Sequence, residues 1–282
     1  MINILRTPWR KHKFLLIVLT MLIGFVGCSK EEPEPAEKRA EESPPAETIE
    51  LVFTYGSEKK AWINDVTAAF NADTTRVINR KRLTVQAIPM GSGEVIDEVL
   101  AGARQPDLVS PASGAFVKLG NAQSRAKTGD DLIGPTDNLV LSPVVIAMWK
   151  PMAETLGYGK KPLGWADLMA VTRNPQGWEG YGRPEWGKFK FGHTHPDFSN
   201  SGLISVLAMV YAANNKVSNL TMEDANSPAT GTFIRNIESA VQHYGSSTGF
   251  FGDKLRSGGP GYLSAAVLYE SSVIEANQAG QD

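Results

Sequence analysis

From residue 49 onward the chain alternates short apolar runs with amphipathic stretches, and turns rich in glycine and serine separate them. Residues 49–55 are β-branched and aromatic enough for a strand, and a helix is expected over 58–71. Residues 83–90 read as a second strand, with a helix over 94–103 behind Gly91-Ser92-Gly93. Residues 107–110 form a short third strand, closed by Pro111-Ala112-Ser113-Gly114 and a further helical stretch. Three strand–turn–helix units in succession imply right-handed crossovers and a parallel sheet. Ligands of such sheets bind at the carboxyl ends of the strands.

The theme returns in the second half. Residues 139–150 (Leu-Val-Leu-Ser-Pro-Val-Val-Ile-Ala-Met-Trp-Lys) read as one long apolar strand bent at Pro143, as a hinge crossover requires. New material begins at 152–156, a helix starts at Trp165, and residues 173–190 form a loop of glycine, proline and tryptophan able to shape or cover a cleft. Residues 189–192 end a strand, 193–200 are a loop, and a helix apolar on nearly all sides starts at Ser201. Residues 232–244 read as one amphipathic helix, with Phe233, Ile234, Ile237, Ala240 and Val241 on one side. Residues 265–269 are a strand that ends in Glu270-Ser271-Ser272 and leads into helical residues.

The N-terminal end has a different composition. Arg6, Arg10, Lys11 and Lys13 precede an apolar run over 14–26, the length of a signal-peptide core and short for a bilayer span. Cys28, the only cysteine of the chain, follows Gly27 in an arrangement that resembles the lipobox of bacterial lipoproteins. That resemblance implies cleavage, acylation of Cys28 and a lipid-anchored, extracytoplasmic protein at the membrane. An ordinary signal peptide with an incidental cysteine, or a short uncleaved anchor, is the alternative. Residues 29–48 are rich in Glu and Pro, with no aromatic residue and no apolar residue larger than alanine. They bury too little to offset ordering and read as a disordered tether. Loss of the four basic residues takes the formal net charge from −2 to −6, which argues against a nucleic-acid partner. The expected organisation is a signal peptide over 1–27, a tether over 28–48, a first lobe over 49–140, and a hinge strand with a second lobe over 141–282.

The candidate chemistry lies in the turns. Gly56-Ser57, Gly91-Ser92-Gly93 and Ser113 follow the three strands of the first half; Ser199-Asn200-Ser201 and Ser271 follow strands of the second. Each supplies hydroxyl or amide groups beside a helix N-terminus, where unpaired N–H groups and the helix dipole favour polar or anionic ligands. The bland alternative for Ser199 to Ser201 is a simple helix cap. None of the turns carries a dinucleotide or Walker motif.

Residues 90–113, beginning Met90-Gly-Ser-Gly-Glu-Val-Ile-Asp-Glu, resemble the second strand to third loop of bacterial extracellular solute-binding proteins of the molybdate-type group. Pro196-Asp197-Phe198-Ser199-Asn200-Ser201-Gly202 is similar to that family's Pro-x-x-Ser-x-Ser-Gly helix start. Trp165-Ala-Asp-Leu resembles the helix before it, and Val267-Leu-Tyr-Glu-Ser-Ser a later strand and loop. The resemblance covers roughly residues 49–277. It implies an α/β, two-lobe, type 2 periplasmic-binding-protein-like fold with mixed or parallel sheets and hinge crossover strands. It also implies a non-enzymatic receptor that clamps a small-molecule solute or oxyanion and serves an ABC permease, with Gly56, Ser57, Gly91, Ser92, Gly93, Ser113, Ser199, Asn200, Ser201 and Ser271 as ligand contacts. The Glu58-Lys59-Lys60-Ala61-Trp62 segment is closer to members fused to a von Willebrand factor A domain, so a non-transport ectodomain fused to such an interaction domain is the alternative. The family also needs a return strand and terminal helices after the second lobe, so the first lobe is expected to be incomplete.

Other chemistry has less support. His193 and His195 alternate as strand ligands would, but Pro196 follows and no third ligand is evident; they are expected to face solvent or bond within the loop, with no metal. There is no G-x-S-x-G elbow, no H-E-x-x-H and no cysteine nucleophile in the folded part, and no cofactor motif. Trp62, Trp149 and Trp165 read as core or lobe-interface groups. Trp178 and Trp186 in the irregular loop, with Phe198, are the aromatic candidates for lining a pocket.

Overall fold

The computed structural model describes residues 47–280, which fall within one compact unit, Pro45–Asp282. The expected signal peptide, Cys28 and all but the last two residues of the expected tether lie outside the described residues.

The first sheet has four strands: β1 (Thr48–Gly56), β2 (Val77–Ile78), β3 (Lys81–Met90) and β4 (Leu108–Ser110), in the order β2-β3-β1-β4. β1 is parallel to both β3 and β4. The small strand β2 was not expected. It pairs antiparallel with β3 through Asn79 and Arg80, both in the left-handed region at φ 52° and 64°, as a tight two-residue hairpin requires. Three helices connect or cover the sheet: α1 (Lys60–Ala72) after a single 3-10 turn, α2 (Ser92–Leu100) and α3 (Gly114–Thr128). Met90, Val95, Ile96 and Phe116 form its buried cluster.

The second sheet has the order β5-β8-β6-β7, with β5 (Val144–Met148), β6 (Phe191–Thr194), β7 (Val241–Gly245) and β8 (Ala265–Tyr269). β6 is parallel to β7 and β8, and β5 is antiparallel to β8, so both sheets are mixed. The connecting helices are α4 (Lys150–Leu156), α5 (Trp165–Arg173), α6 (Asn200–Ala213), α7 (Met222–Asn226), α8 (Pro228–Glu238), α9 (Thr248–Gly258) and α10 (Glu270–Gln278). Trp178, Phe191, Met209, Ile237 and Val267 lie in the cluster on one side of this sheet; Phe251, Leu263, Ala266 and Leu268 form another. α6 is apolar all round because it is enclosed on most of its surface.

Several elements differ from the sequence reading. The apolar run over 139–150 is a strand only at Val144–Met148, and Leu141 before it is 88% exposed. Pro143 has no N–H to give a ladder; its carbonyl accepts from the Glu270 N–H at 2.9 Å, so pairing with β8 begins there. Residues 232–244 are not one helix: α8 stops at Glu238, and the chain enters β7 at Val241. The loop over 173–190 folds into two 3-10 turns that carry Trp178 into the core at 0% exposure. Its indole N–H donates to Ser264 Oγ at 3.1 Å, and Trp186 meets its ring edge-on at 5.3 Å. Trp178 is therefore a core residue and not a pocket aromatic. Trp62 is 43% exposed.

Candidate functional site

The strand-end turns of the two sheets meet along two seams. In the first, α2 begins at Gly91-Ser92-Gly93, where the Gly91 N–H donates to Glu94 Oε2 at 2.9 Å. The Gly93 N–H donates to the Phe198 carbonyl at 2.9 Å, and the Glu94 N–H reaches the same oxygen at 3.4 Å. A Cβ at position 91 would run into the Phe198 carbonyl, and one at 93 into the Asp197 carbonyl. Glycine at both positions permits backbone to meet backbone. In the second seam, Ser57 Oγ lies 2.7 Å from Ser247 Oγ and accepts from the Gly249 N–H at 2.9 Å. A Cβ at 249 would strike the Ser57 carbonyl.

Behind these seams is a buried chain of hydroxyls. Ser199 Oγ is 3.1 Å from Thr248 Oγ1, Thr248 Oγ1 is 2.7 Å from Ser201 Oγ, and Ser201 Oγ is 2.7 Å from Thr194 Oγ1. All four residues are at most 2% exposed. Ser199 stands at the N-cap position of α6, but its hydroxyl accepts no helix N–H; it turns to the start of α9 instead. The Asn200 amide donates from Nδ2 to the Tyr269 hydroxyl at 2.8 Å, and its Oδ1 is buried with no partner among the described residues.

The remaining serines bond elsewhere. Ser92 Oγ accepts from the Ala112 N–H at 2.9 Å, which ties the second turn to the third. Ser113 caps α3, accepting from the Ala115 N–H at 3.0 Å. Ser271 is exposed, and its N–H donates to Ser142 Oγ at 3.2 Å. Three contributors were not anticipated: Thr194, Ser247 and Thr248. The run Gly245-Ser246-Ser247-Thr248-Gly249 has the same turn chemistry as the others, but with 232–244 taken as a helix no strand preceded it.

One carboxylate sits within this region. Glu58 folds back over Gly56, pairs with Lys59 Nζ at 2.6 Å, and is 9% exposed; Lys59 also donates to the Ser110 carbonyl at 3.2 Å. Burial, followed by the Glu58 charge, pushes the Tyr55 and Tyr269 hydroxyls above the usual phenol value. A cavity of about 370 Å³ opens beside the second seam, walled by Ser57, Glu58 and Asn64 from the first half and by Trp149, Gly249 and Arg256 from the second. Neither Gly91–Gly93 nor Ser199–Ser201 lines it. The cavity and the hydroxyl chain are neighbours joined through the Ser57–Ser247 contact.

Of the two histidines, His193 differs from expectation. β6 extends to Thr194, so His193 is a strand residue, 1% exposed. Its Nδ1 is 2.8 Å from the Thr194 carbonyl and its Nε2 3.0 Å from Glu238 Oε1. The Tyr244 hydroxyl donates to the other oxygen of Glu238. Burial pushes the Glu238 carboxyl up, but the bonds from His193 and Tyr244 outweigh it and hold the group below the ordinary range. Burial, then the bond to Glu238, pushes Tyr244 up to about 12. His195 lies beyond the strand end with its side chain 42% exposed. Among the described residues no cluster of three His, Cys, Asp or Glu is placed to hold a metal. Nor is any helix among them long and apolar enough to cross a membrane.

Residues 51–281 match the model of a family described as bacterial extracellular solute-binding protein. Among solved structures, the periplasmic binding protein P5PA aligns with a TM-score of 0.50 at 15% identity, covering 82% of this chain and 67% of that one. MotA from A. tumefaciens B6, in complex with glucopine, aligns at 0.47 and 14%, covering 83% and 68%. Iron-bound HitA from Pseudomonas aeruginosa aligns at 0.44 and 13%, covering 83% and 67%. At these identities the likeness is one of fold. No curated protein matches the chain.

Proposed function

The chain belongs to the bacterial extracellular solute-binding protein family, and from that premise we propose that it clamps a small polar solute between its two sheets and delivers it to an ABC-type permease. The observation that carries this reading is the pair of seams: the Gly91–Gly93 turn against Asp197 and Phe198, and Ser57 against Ser247 and Gly249. Turns from both sheets meet there, and glycine at 91, 93 and 249 lets the chains approach closely. A hinge motion that opens the seams exposes Ser57, Ser92, Ser199, Asn200, Ser201, Ser247 and Thr248 to a solute. The division into lobes near residue 140 belongs to the same proposal, as does an export signal over 1–27 with acylation at Cys28 and a tether over 28–48. A ligand drawn from the molybdate-type oxyanions is the narrower form.

Thermal unfolding of the whole protein against molybdate, tungstate, phosphate, sulfate and small organic solutes is the test. A ligand at 100 times its Kd adds about 2.7 kcal/mol of stability, a readily measured shift in Tm. Gly93→Ala should abolish that shift while the unliganded protein stays folded, because the added methyl obstructs closure and sits in an ordinary helical conformation. Retained ligand stabilisation in Gly93→Ala would sink the clamp.

A further inference from the structure

We propose that the bound solute presents hydrogen-bond donors (hydroxyl or ammonium groups) on a compact frame, and is not a free oxyanion. The inference rests on the clamp reading above and concerns what the clamp selects. Oxyanion sites of this kind need unengaged backbone N–H groups at helix starts. Around the first-sheet turns and at Gly249 several of those groups are already engaged by the chain itself. The Gly93 and Glu94 N–H groups serve the Phe198 carbonyl, the Gly91 N–H serves Glu94, the Ala112 N–H serves Ser92 and the Gly249 N–H serves Ser57. At the first turn the place an anion would take beside Gly56 holds the protein's own Glu58 carboxylate.

Near the seams one buried acceptor stays unmatched. Asn200 Oδ1 is buried without a partner among the described residues, on a residue 5% exposed. Thr54 Oγ1, at the carboxyl end of β1 and 0% exposed, is a hydroxyl without a partner among the described residues, able to donate as well as accept. An unmet buried acceptor carries a desolvation penalty that a donor-bearing ligand relieves and an oxyanion aggravates. The cavity beside Ser57 points the same way. Its wall carries Glu58, Asp253 and Glu275 as carboxylates, with Lys60 and Arg256 as cations. Glu58 is paired with Lys59 at 2.6 Å and Arg256 with Asp253 at 2.5 Å, and Lys60 lies over the Phe250 ring at 5.6 Å. Glu275 makes no ion pair among the described residues. Ala147, Trp149 and Leu268 give the cavity an apolar side, and its volume of about 370 Å³ is large for a tetrahedral oxyanion.

The experiment is calorimetric titration of the whole protein in three arms: oxyanions (molybdate, sulfate, phosphate), neutral polyols and monosaccharides, and aliphatic diamines and amino alcohols. The expected result is binding in the second or third arm and none in the first. Glu58→Gln then separates the two donor sources: it weakens an ammonium-bearing solute about tenfold or more, and a neutral polyol much less. Glu275→Gln, at an exposed position, gives a second comparison should Glu58→Gln fail to fold; it too weakens ammonium solutes selectively. Binding of an oxyanion in preference to both other arms overturns this inference and leaves the clamp standing. Absence of heat and of any Tm shift in all three arms overturns the clamp itself, and this inference with it.

Discussion

The two halves of the molecule are built to different depths. The buried cluster of the first sheet is small, Met90, Val95, Ile96 and Phe116, with Tyr55 and Ile63 buried besides, and its strands are mostly half-exposed; Leu108 in β4 is 53% exposed. The second sheet is enclosed on both faces, with all five residues of β8 buried and Trp178 sealed beneath a pair of 3-10 turns. Both halves present the same strand–polar turn–helix rim to the seams. A shared rim on unequal foundations shows that the polar turns do not depend on the thickness of the core behind them. Local opening is therefore expected to begin in the first half, where fewer apolar contacts oppose it.

The comparison can be broken most severely at Trp178. Trp178→Ala should cost about 3–5 kcal/mol, with loss of the Ser264 bond added, and lower the Tm of the whole protein in calorimetry. If the second half is the foundation, amide protection should fall in both sheets together. Ile96→Ala should cost less, about 2–3 kcal/mol, because its thin surroundings collapse more readily. Hydrogen exchange should then rise in β1, β3 and β4 while β6 and β8 keep their protection. Equal loss in both sheets would erase the distinction between the halves.

The smallest effect concerns Glu238. Its carboxyl is held below the ordinary range in the folded protein, so its contribution is fully present above the unfolded value of about 4.3 and lost as pH falls through the lower folded value. Glu238→Gln should remove about 1 kcal/mol at neutral pH, and the wild-type advantage should shrink toward pH 3 in urea titrations. An advantage that grows on acidification would reverse the sign and the argument.

Much of this fold can be read from periodicity and turn chemistry. Strand, glycine–serine turn and helix recur at 55–60, 90–95 and 110–115, and the three first-sheet strands lie where the apolar runs begin and end. The reading failed where two elements share one pattern. Val241 lies on the same helical face as Ile237, so α8 and β7 share one helical pattern; that hides the Ser247-Thr248 turn and with it Thr248, the link between Ser199 and Ser201. It failed again at Pro143, where continuous apolarity suggested a long strand but ladder pairing began only with β5. His193 reads as the start of the loop over 193–200, but pairing with β7 carries the strand on to Thr194. Contacts between turns, such as Ser57 with Ser247, join residues 190 positions apart and have no local signature at all.

The seam at Gly91 and Gly93 has one further consequence, which is entropic. Fixing a long side chain costs up to ~2 kcal/mol of rotamer freedom, whereas glycine has none to lose and a backbone carbonyl brings none. The Gly93 N–H meets the Phe198 carbonyl as one rigid surface settling on another. Closing this seam immobilises almost no rotatable bond, so the contact forms at little cost in side-chain entropy.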